Sequence, residues 1–170
     1  EFCQFKDDRD KLIEKIMNSD GVVFATPNYS FQVSGLMKVF LDRIGYCFHR
    51  PCFFGKTSTC IVVQGIYGGN KIVKYLNFIG GALGFNIVKG SCIYSLEPMT
   101  EKGKKNIEKV IDKHSKRFYS QLIKNEYPSP SWLGLMAFRM GRSSRRKMLN
   151  EDHKDYKHFK EKGWFESDYY

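Results

Sequence analysis

The chain has 170 residues and a mass of 19.8 kDa, and it is 42% apolar, 15% aromatic and 27% charged. That length suits one domain of about 100–200 residues, and the composition excludes a disordered tail, a collagen-like repeat and a low-complexity linker. The formal net charge is +10, but it is spread: residues 1–96 hold 11 basic and 7 acidic side chains, 97–124 hold 8 and 4, and 125–170 hold 9 and 7, which argues against a nucleic-acid surface.

In chain order, Leu12, Ile13, Ile16 and Met17 mark one face of a first helix, opened by the acidic Asp7, Asp8 and Asp10. Residues 21–26 read as a buried strand ended by Pro27. Leu36, Met37, Phe40, Leu41 and Ile44 then form the apolar stripe of a second helix. Residues 58–64 form the next strand, whose unbroken run Cys60-Ile61-Val62-Val63 suits a strand covered on both faces. A glycine-containing loop, Gly65-Ile66-Tyr67-Gly68-Gly69, leads into a third helix with Ile72, Leu76, Ile79 and Leu83 on its stripe, and Gly80, Gly81 and Gly84 soften that helix's end. A third strand falls within residues 85–94, followed by a long helix over about residues 100–124.

His114 lies on the apolar stripe of that long helix and reads as packed rather than catalytic. Tyr127-Pro128-Ser129-Pro130 closes the alternating region. Residues 125–170 read as an appendage: a basic and apolar helix over about 132–149, a second segment over 152–163, and an aromatic end with Trp164, Phe165, Tyr169 and Tyr170. Arg139, Arg142, Arg145, Arg146 and Lys147 form the one tight basic run, read as a solvated helix face. Alternating strands and helices over residues 1–124 imply parallel strands joined by right-handed crossovers, hence an open α/β sheet with helices on both faces.

Apolar runs such as residues 22–25 and 61–63 fall far short of the ~20 residues that a membrane helix needs. Cys3, Cys47, Cys52, Cys60 and Cys92 include no Cys-x-x-Cys pair, so ordinary thiols and a reducing cytoplasm are expected rather than a disulfide scaffold. Cys47 and Cys52 flank His49, but no second ligand pair lies nearby, and no metal site is assigned.

Ligands of open parallel sheets sit outside the carboxyl ends of the strands. Two segments occupy such ends: Pro27, Asn28, Tyr29, Ser30 and Phe31, and Gly65, Ile66, Tyr67, Gly68 and Gly69. Both offer backbone N–H groups beside a helix start and a tyrosine able to flank a planar ring. A flat heteroaromatic cofactor would be served by them, although each segment also reads as an ordinary turn.

The run Ser19-Asp20-Gly21-Val22-Val23-Phe24-Ala25-Thr26-Pro27-Asn28-Tyr29, followed by Val33-Ser34-Gly35-Leu36-Met37-Lys38 and Leu41-Asp42-Arg43, resembles the flavodoxin-like NADPH-dependent FMN reductase family. It is nearest to the branch of iron-sulfur flavoproteins and multimeric flavodoxins, over about residues 1–124. Asp155-Tyr156 with Gly163-Trp164 is also similar to the ends of some members.

The resemblance implies a flavodoxin-like fold, FMN as cofactor and NAD(P)H as co-substrate. The electrons would pass to a quinone, a nitro or azo compound, or a protein acceptor, and a homodimer or homotetramer is implied. The isoalloxazine-contacting loop falls on Pro27, Asn28, Tyr29, Ser30 and Phe31. The second flavin loop falls on Gly65, Ile66, Tyr67, Gly68 and Gly69, with Gly68 and Gly69 permitting close backbone approach. No side chain is assigned as catalytic. Lys38, Asp42 and Arg43 read as structural, a helix-surface cation and an ion pair.

An electron carrier without turnover and a cofactor-less basic interaction domain are the alternatives. Cys3 resembles the last cysteine of the branch's compact cluster, yet one cysteine assigns no iron-sulfur site. The family's first strand and its Ser/Thr-rich phosphate loop have no counterpart in residues 1–20. A further β-α-β unit of roughly 30 residues or more is therefore expected ahead of Glu1, its first strand covering the edge of the strand at 21–26.

Overall fold

The computed structural model describes residues 6–124 and 132–167. Cys3, residues 127–130, the Leu133 side chain, Tyr169 and Tyr170 lie outside it. The chain divides into two compact units, Glu1–Glu126 and Tyr127–Tyr170.

The first unit follows the order α1 (Arg9–Met17), β1 (Gly21–Pro27), α2 (Gly35–Arg43), a 3-10 turn (Gly45–Phe48), β2 (Thr57–Gln64), α3 (Gly69–Ala82), β3 (Asn86–Ile87), β4 (Ser91–Tyr94) and α4 (Glu101–Lys124). All pairings are parallel, with β2 central, β1 on one side and β3 and β4 in succession on the other. This is the expected flavodoxin-like α/β arrangement. Gly21 pairs with Thr57 and Pro27 with Val63, so β1 and β2 end together.

Alternation sorts the side chains of β2 between two helical layers. Cys60 Sγ reaches the Val73 carbonyl (3.7 Å) and Asn77 Oδ1 (3.5 Å) on α3. Thr59 Oγ1 faces His114 Nε2 on α4 at 3.5 Å. The main core lies on the α3 side, where Phe24, Leu41, Ile44, Phe53, Cys60, Val62, Ile72, Leu76, Leu83 and Phe85 are buried together. Phe53 stacks on Phe85 at 4.6 Å between ring centroids, and Phe24 meets Phe85 edge-on at 5.9 Å. Such aromatic pairs add about 0.5–1.5 kcal/mol beyond area burial.

The single third strand expected within residues 85–94 is two short strands. The β2–β3 register pairs Thr57 with Asn86, whereas the β2–β4 register pairs Ile61 with Ser91, so one extra residue is accommodated between them, as in a bulge. Gly90 sits at this step, where a Cβ would lie 2.3 Å from Cys60 Sγ and 2.8 Å from the Cys60 carbonyl. Gly80 also differs from its expected role. It lies inside α3 and lets the helix approach the sheet, since a Cβ there would meet Ile87 Cδ1 at 2.8 Å and Ser58 Oγ at 3.0 Å. Gly84 (φ +100°) makes the left-handed turn just past the helix end.

His114 is buried as expected, with Nδ1 2.8 Å from Ser91 Oγ. Lys38 pairs with Asp42 on the surface of α2, while Arg43 Nε reaches Asp7 Oδ2 at 2.6 Å and ties α2 to the start of α1. The Arg43 guanidinium holds the Asp7 carboxyl below its usual range.

The second unit contains α5 (Trp132–Met148) and α6 (Lys154–Glu161). Phe159, Trp164 and Phe165 are buried, and Phe138 stacks on Phe159 at 6.2 Å and meets Trp164 edge-on at 5.8 Å. The basic run is not simply a solvated face. Arg145 lies 4.5 Å over the Phe159 ring and Arg146 lies 5.6 Å over Phe165. Arg142 donates to the Ser167 carbonyl, and Arg146 pairs with Glu166 at 3.0 Å. These guanidiniums cover the aromatic cluster through cation–π contacts.

Candidate functional site

The carboxyl ends of β1 and β2 are level, so the loops that follow them emerge side by side. Asn28 N–H donates to the Val63 carbonyl (2.7 Å), extending the parallel ladder by one step. Its side-chain Nδ2 then crosses to the other loop and donates to the Tyr67 carbonyl (2.9 Å). Asn28 Oδ1 is buried and has no partner.

Beyond Asn28 the chain turns sharply. Tyr29 N–H donates to Gln32 O (3.1 Å) and Gln32 N–H to Tyr29 O (2.9 Å), closing a two-residue hairpin. Ser30 (φ +49°) and Phe31 (φ +64°) both take the left-handed conformation. That turn type favours Asn-Gly, and a bulky residue at positive φ is an outlier that points to function. Its effect is to bring the Phe31 ring to 5.2 Å from the Tyr67 ring of the second loop, tilted by 41°. Tyr29, Phe31, Ile66 and Tyr67 are all exposed, Ile66 the most at 72%.

The second loop ends in Gly68, with φ +97° at the amino-terminal cap of α3. A Cβ at Gly68 would lie 2.8 Å from Phe31 Cδ1 and 3.4 Å from Asn28 Nδ2, so the glycine keeps the junction between the loops open. Gly69 does something else. It is buried, its N–H donates to Gln64 Oε1 (2.5 Å), and a Cβ there would strike Cys92 Sγ at 2.5 Å. Its small size serves packing beneath the loop rather than approach from above.

Gln64, which sequence reasoning passed over, therefore anchors the first N–H of α3, and its Nε2 is buried without a partner. A buried polar residue closing an apolar strand was the available signal. The end of β4 also reaches this rim: Ser95 N–H donates to the Gln64 carbonyl (2.9 Å), and Tyr94 and Leu96 are exposed beside it in sequence.

Among the described residues, the N–H groups of Ser30, Phe31, Ile66, Tyr67 and Gly68 have no intramolecular acceptor. The rim thus presents backbone donors, one buried unpaired acceptor and exposed aromatic rings. Pro27, Asn28, Tyr29, Ser30 and Phe31 are brought together with Tyr67 and Gly68. Gly65 and Ile66 are exposed, and Gly69 lies beneath. No group of three or more His, Cys, Asp or Glu side chains converges among the described residues.

Residues 1–96 match the family described as NADPH-dependent FMN reductase. The chain belongs to that family. An iron-sulfur flavoprotein from Archaeoglobus fulgidus is 34% identical over 98 residues, covering 52% of this chain and 44% of its own length. A second iron-sulfur flavoprotein from the same organism is 31% identical over 147 residues, covering 73% of this chain and 70% of its own length. This chain therefore spans less than half of the first relative. The solved Trp repressor binding protein from Bacillus subtilis superposes with a TM-score of 0.53 at 24% identity, covering 66% of this chain and 72% of that one, a likeness of fold.

The family implies FMN, and the rim fits its ring system. Isoalloxazine carries carbonyl and ring-nitrogen acceptors along one edge, which suit the undonated N–H groups, and an imide N–H, which suits a buried unpaired acceptor such as Asn28 Oδ1.

Proposed function

We propose that this chain holds the flavin ring of an FMN-dependent oxidoreductase that takes electrons from NAD(P)H and passes them to a quinone, a nitro or azo compound, or a protein acceptor. The observation that carries the proposal is the Asn28 bridge, which fixes two loops at the carboxyl ends of adjacent parallel strands and leaves a buried Oδ1 unpaired between them.

Asn28 sets the spacing of the loops, and its Oδ1 accepts from the ring's imide edge. The backbones of Ser30, Phe31, Ile66, Tyr67 and Gly68 donate to the ring's acceptor edge. Pro27 ends the ladder, and Gly68 keeps room for the ring. The exposed Tyr29, Phe31 and Tyr67 rings would stack on a planar ligand and exclude water from one of its faces. Bound FMN would supply the redox chemistry, accepting a hydride and releasing its electrons to the acceptor. No acid or base from this chain is required. A homodimer or homotetramer in the cytoplasm belongs to the same reading. Among the described residues, no helix is long and apolar enough to cross a membrane.

The protein should take up FMN and turn yellow, and a chain that remains colourless in excess FMN refutes the proposal. Anaerobic mixing with NADPH should bleach the bound flavin on a catalytic timescale, whereas a mere carrier would stay oxidised. Tyr29→Ala and Gly68→Val should both weaken FMN retention. Unchanged affinity in both would remove these residues from the site.

A further inference from the structure

The two sulfurs of Cys47 and Cys52 lie 3.8 Å apart, with the Cys52 thiol donating to Cys47 Sγ. They occupy unlike settings. Cys47 is fully buried in the 3-10 turn after α2, whereas Cys52 is half-buried on the irregular link between that turn and β2. A disulfide requires the sulfurs to close to about 2.05 Å. The remaining gap is within reach of a small movement of Cys52 on its loop, with both strands and α2 left in place.

We propose that Cys47 and Cys52 form a peroxide-oxidisable dithiol that closes reversibly into an intrachain disulfide. Cys52, the more accessible thiol, meets the peroxide. Its sulfur bonds to one peroxide oxygen as the O–O bond breaks, giving Cys52 sulfenic acid and one water. Cys47 sulfur then attacks the Cys52 sulfur, the S–O bond breaks, and the departing hydroxide takes up the Cys47 proton as a second water. The two cysteines lose two electrons and two protons in all, and hydrogen peroxide is the oxidant.

The surroundings favour the second step. Arg9 and Arg50 bracket the Tyr46 ring next to Cys47, at 5.7 and 5.1 Å from the ring centroid. The Cys52 hydrogen bond, with help from Tyr46 and these guanidiniums, holds the Cys47 thiol below its ordinary pKa despite burial. Electropositive surroundings of this kind mark reactive cysteines. The other two described thiols are the opposite case. Burial pushes Cys60 up to about 12 and raises Cys92 as well, so neither presents a thiolate.

The test uses the full chain treated with limiting hydrogen peroxide, quenched by thiol alkylation and mapped by mass spectrometry after trypsin. The Arg50–Pro51 bond resists trypsin, so residues 44–56 emerge as one peptide carrying both cysteines. The expected product is that peptide two hydrogens lighter and unalkylated, restored by dithiothreitol, while Cys60 and Cys92 remain alkylatable after denaturation. Cys47→Ser should stall oxidation at Cys52, where dimedone traps the sulfenic acid. Cys52→Ser, a near-isosteric change at a half-buried position packed against the core, should leave Cys47 reduced at the same peroxide dose. A wild-type peptide carrying added oxygen on Cys52 with Cys47 still alkylatable would overturn the proposal. So would oxidation of Cys60 or Cys92 before the pair, or unchanged oxidation of Cys47 in Cys52→Ser.

Discussion

Asn28→Ala separates the ligand-binding role of this residue from its structural one. The substitution removes the 2.9 Å bond to the Tyr67 carbonyl, a typical intramolecular hydrogen bond worth about 0.5–1.5 kcal/mol. It also removes Oδ1, a buried acceptor with no partner, and leaving such a group unsatisfied costs about 1–3 kcal/mol. The two effects oppose each other and are similar in size. The ligand-free chain should therefore unfold within about 1 kcal/mol of the parent, or ~4 °C in melting temperature for a chain of this size. FMN binding has no such compensation under the proposed function, in which the lost acceptor is the group that meets the ring. Loss of one hydrogen bond of about 1.4 kcal/mol is tenfold in affinity. Flavin fluorescence quenching on titration gives the affinity, and thermal melts of the ligand-free protein give the stability. A variant that loses more than about 2 kcal/mol of stability but binds FMN normally would show that Asn28 only ties the loops, and the reasoning would fail.

Gly90→Ala should destabilise the chain by about 1–3 kcal/mol or more, because the new methyl group would overlap Cys60 backbone and sulfur in a packed layer; urea melts measure this, and a neutral result would contradict the close approach of β2 and the bulge. Burial and the Arg117 charge hold His114 below its ordinary pKa, so the folded chain keeps it neutral where the unfolded chain takes up a proton. Its contribution is full above about pH 6.5 and is lost as pH falls from there toward the folded value; the wild-type stability should decline in that window, and His114→Gln should flatten the decline. In the second unit, Arg145→Met removes a cation–π contact and a bond to the Gly141 carbonyl and should cost about 1–2 kcal/mol by thermal unfolding. Lys38→Ala should leave the thermal melt nearly unchanged, as expected of an exposed pair on one helix.

The strands β1 and β2 are legible because their apolar runs have a length and sharp ends that fit no helix. The split between β3 and β4 is not, since a one-residue register step leaves the hydrophobic pattern almost unchanged and declares itself only where Gly90 meets Cys60. Both site loops can be found from their place after strands. Their joining cannot, because Asn28 and the Tyr67 carbonyl are 39 residues apart and the bond involves a backbone atom. The left-handed Ser30 and Phe31 escape prediction for the opposite reason: neither residue type signals that conformation. Two glycines that look alike in the sequence prove unlike in space, Gly68 opening a surface and Gly69 filling a contact. The arginine run reads as solvent-facing because helical periodicity does not reveal that planar cations can roof an aromatic cluster.

The hairpin at Tyr29 to Gln32 places stability and performance in direct competition. Holding Ser30 and Phe31 at positive φ costs on the order of 1–3 kcal/mol for each residue. A designer seeking only a durable fold would install Asn-Gly there, recover much of that energy and delete the ring that faces Tyr67. The most tempting thermostabilising edit of this chain is thus the one that removes a wall of the proposed site, and under that proposal libraries selected on heat resistance alone would drift toward sturdier proteins that no longer grip a flat ligand.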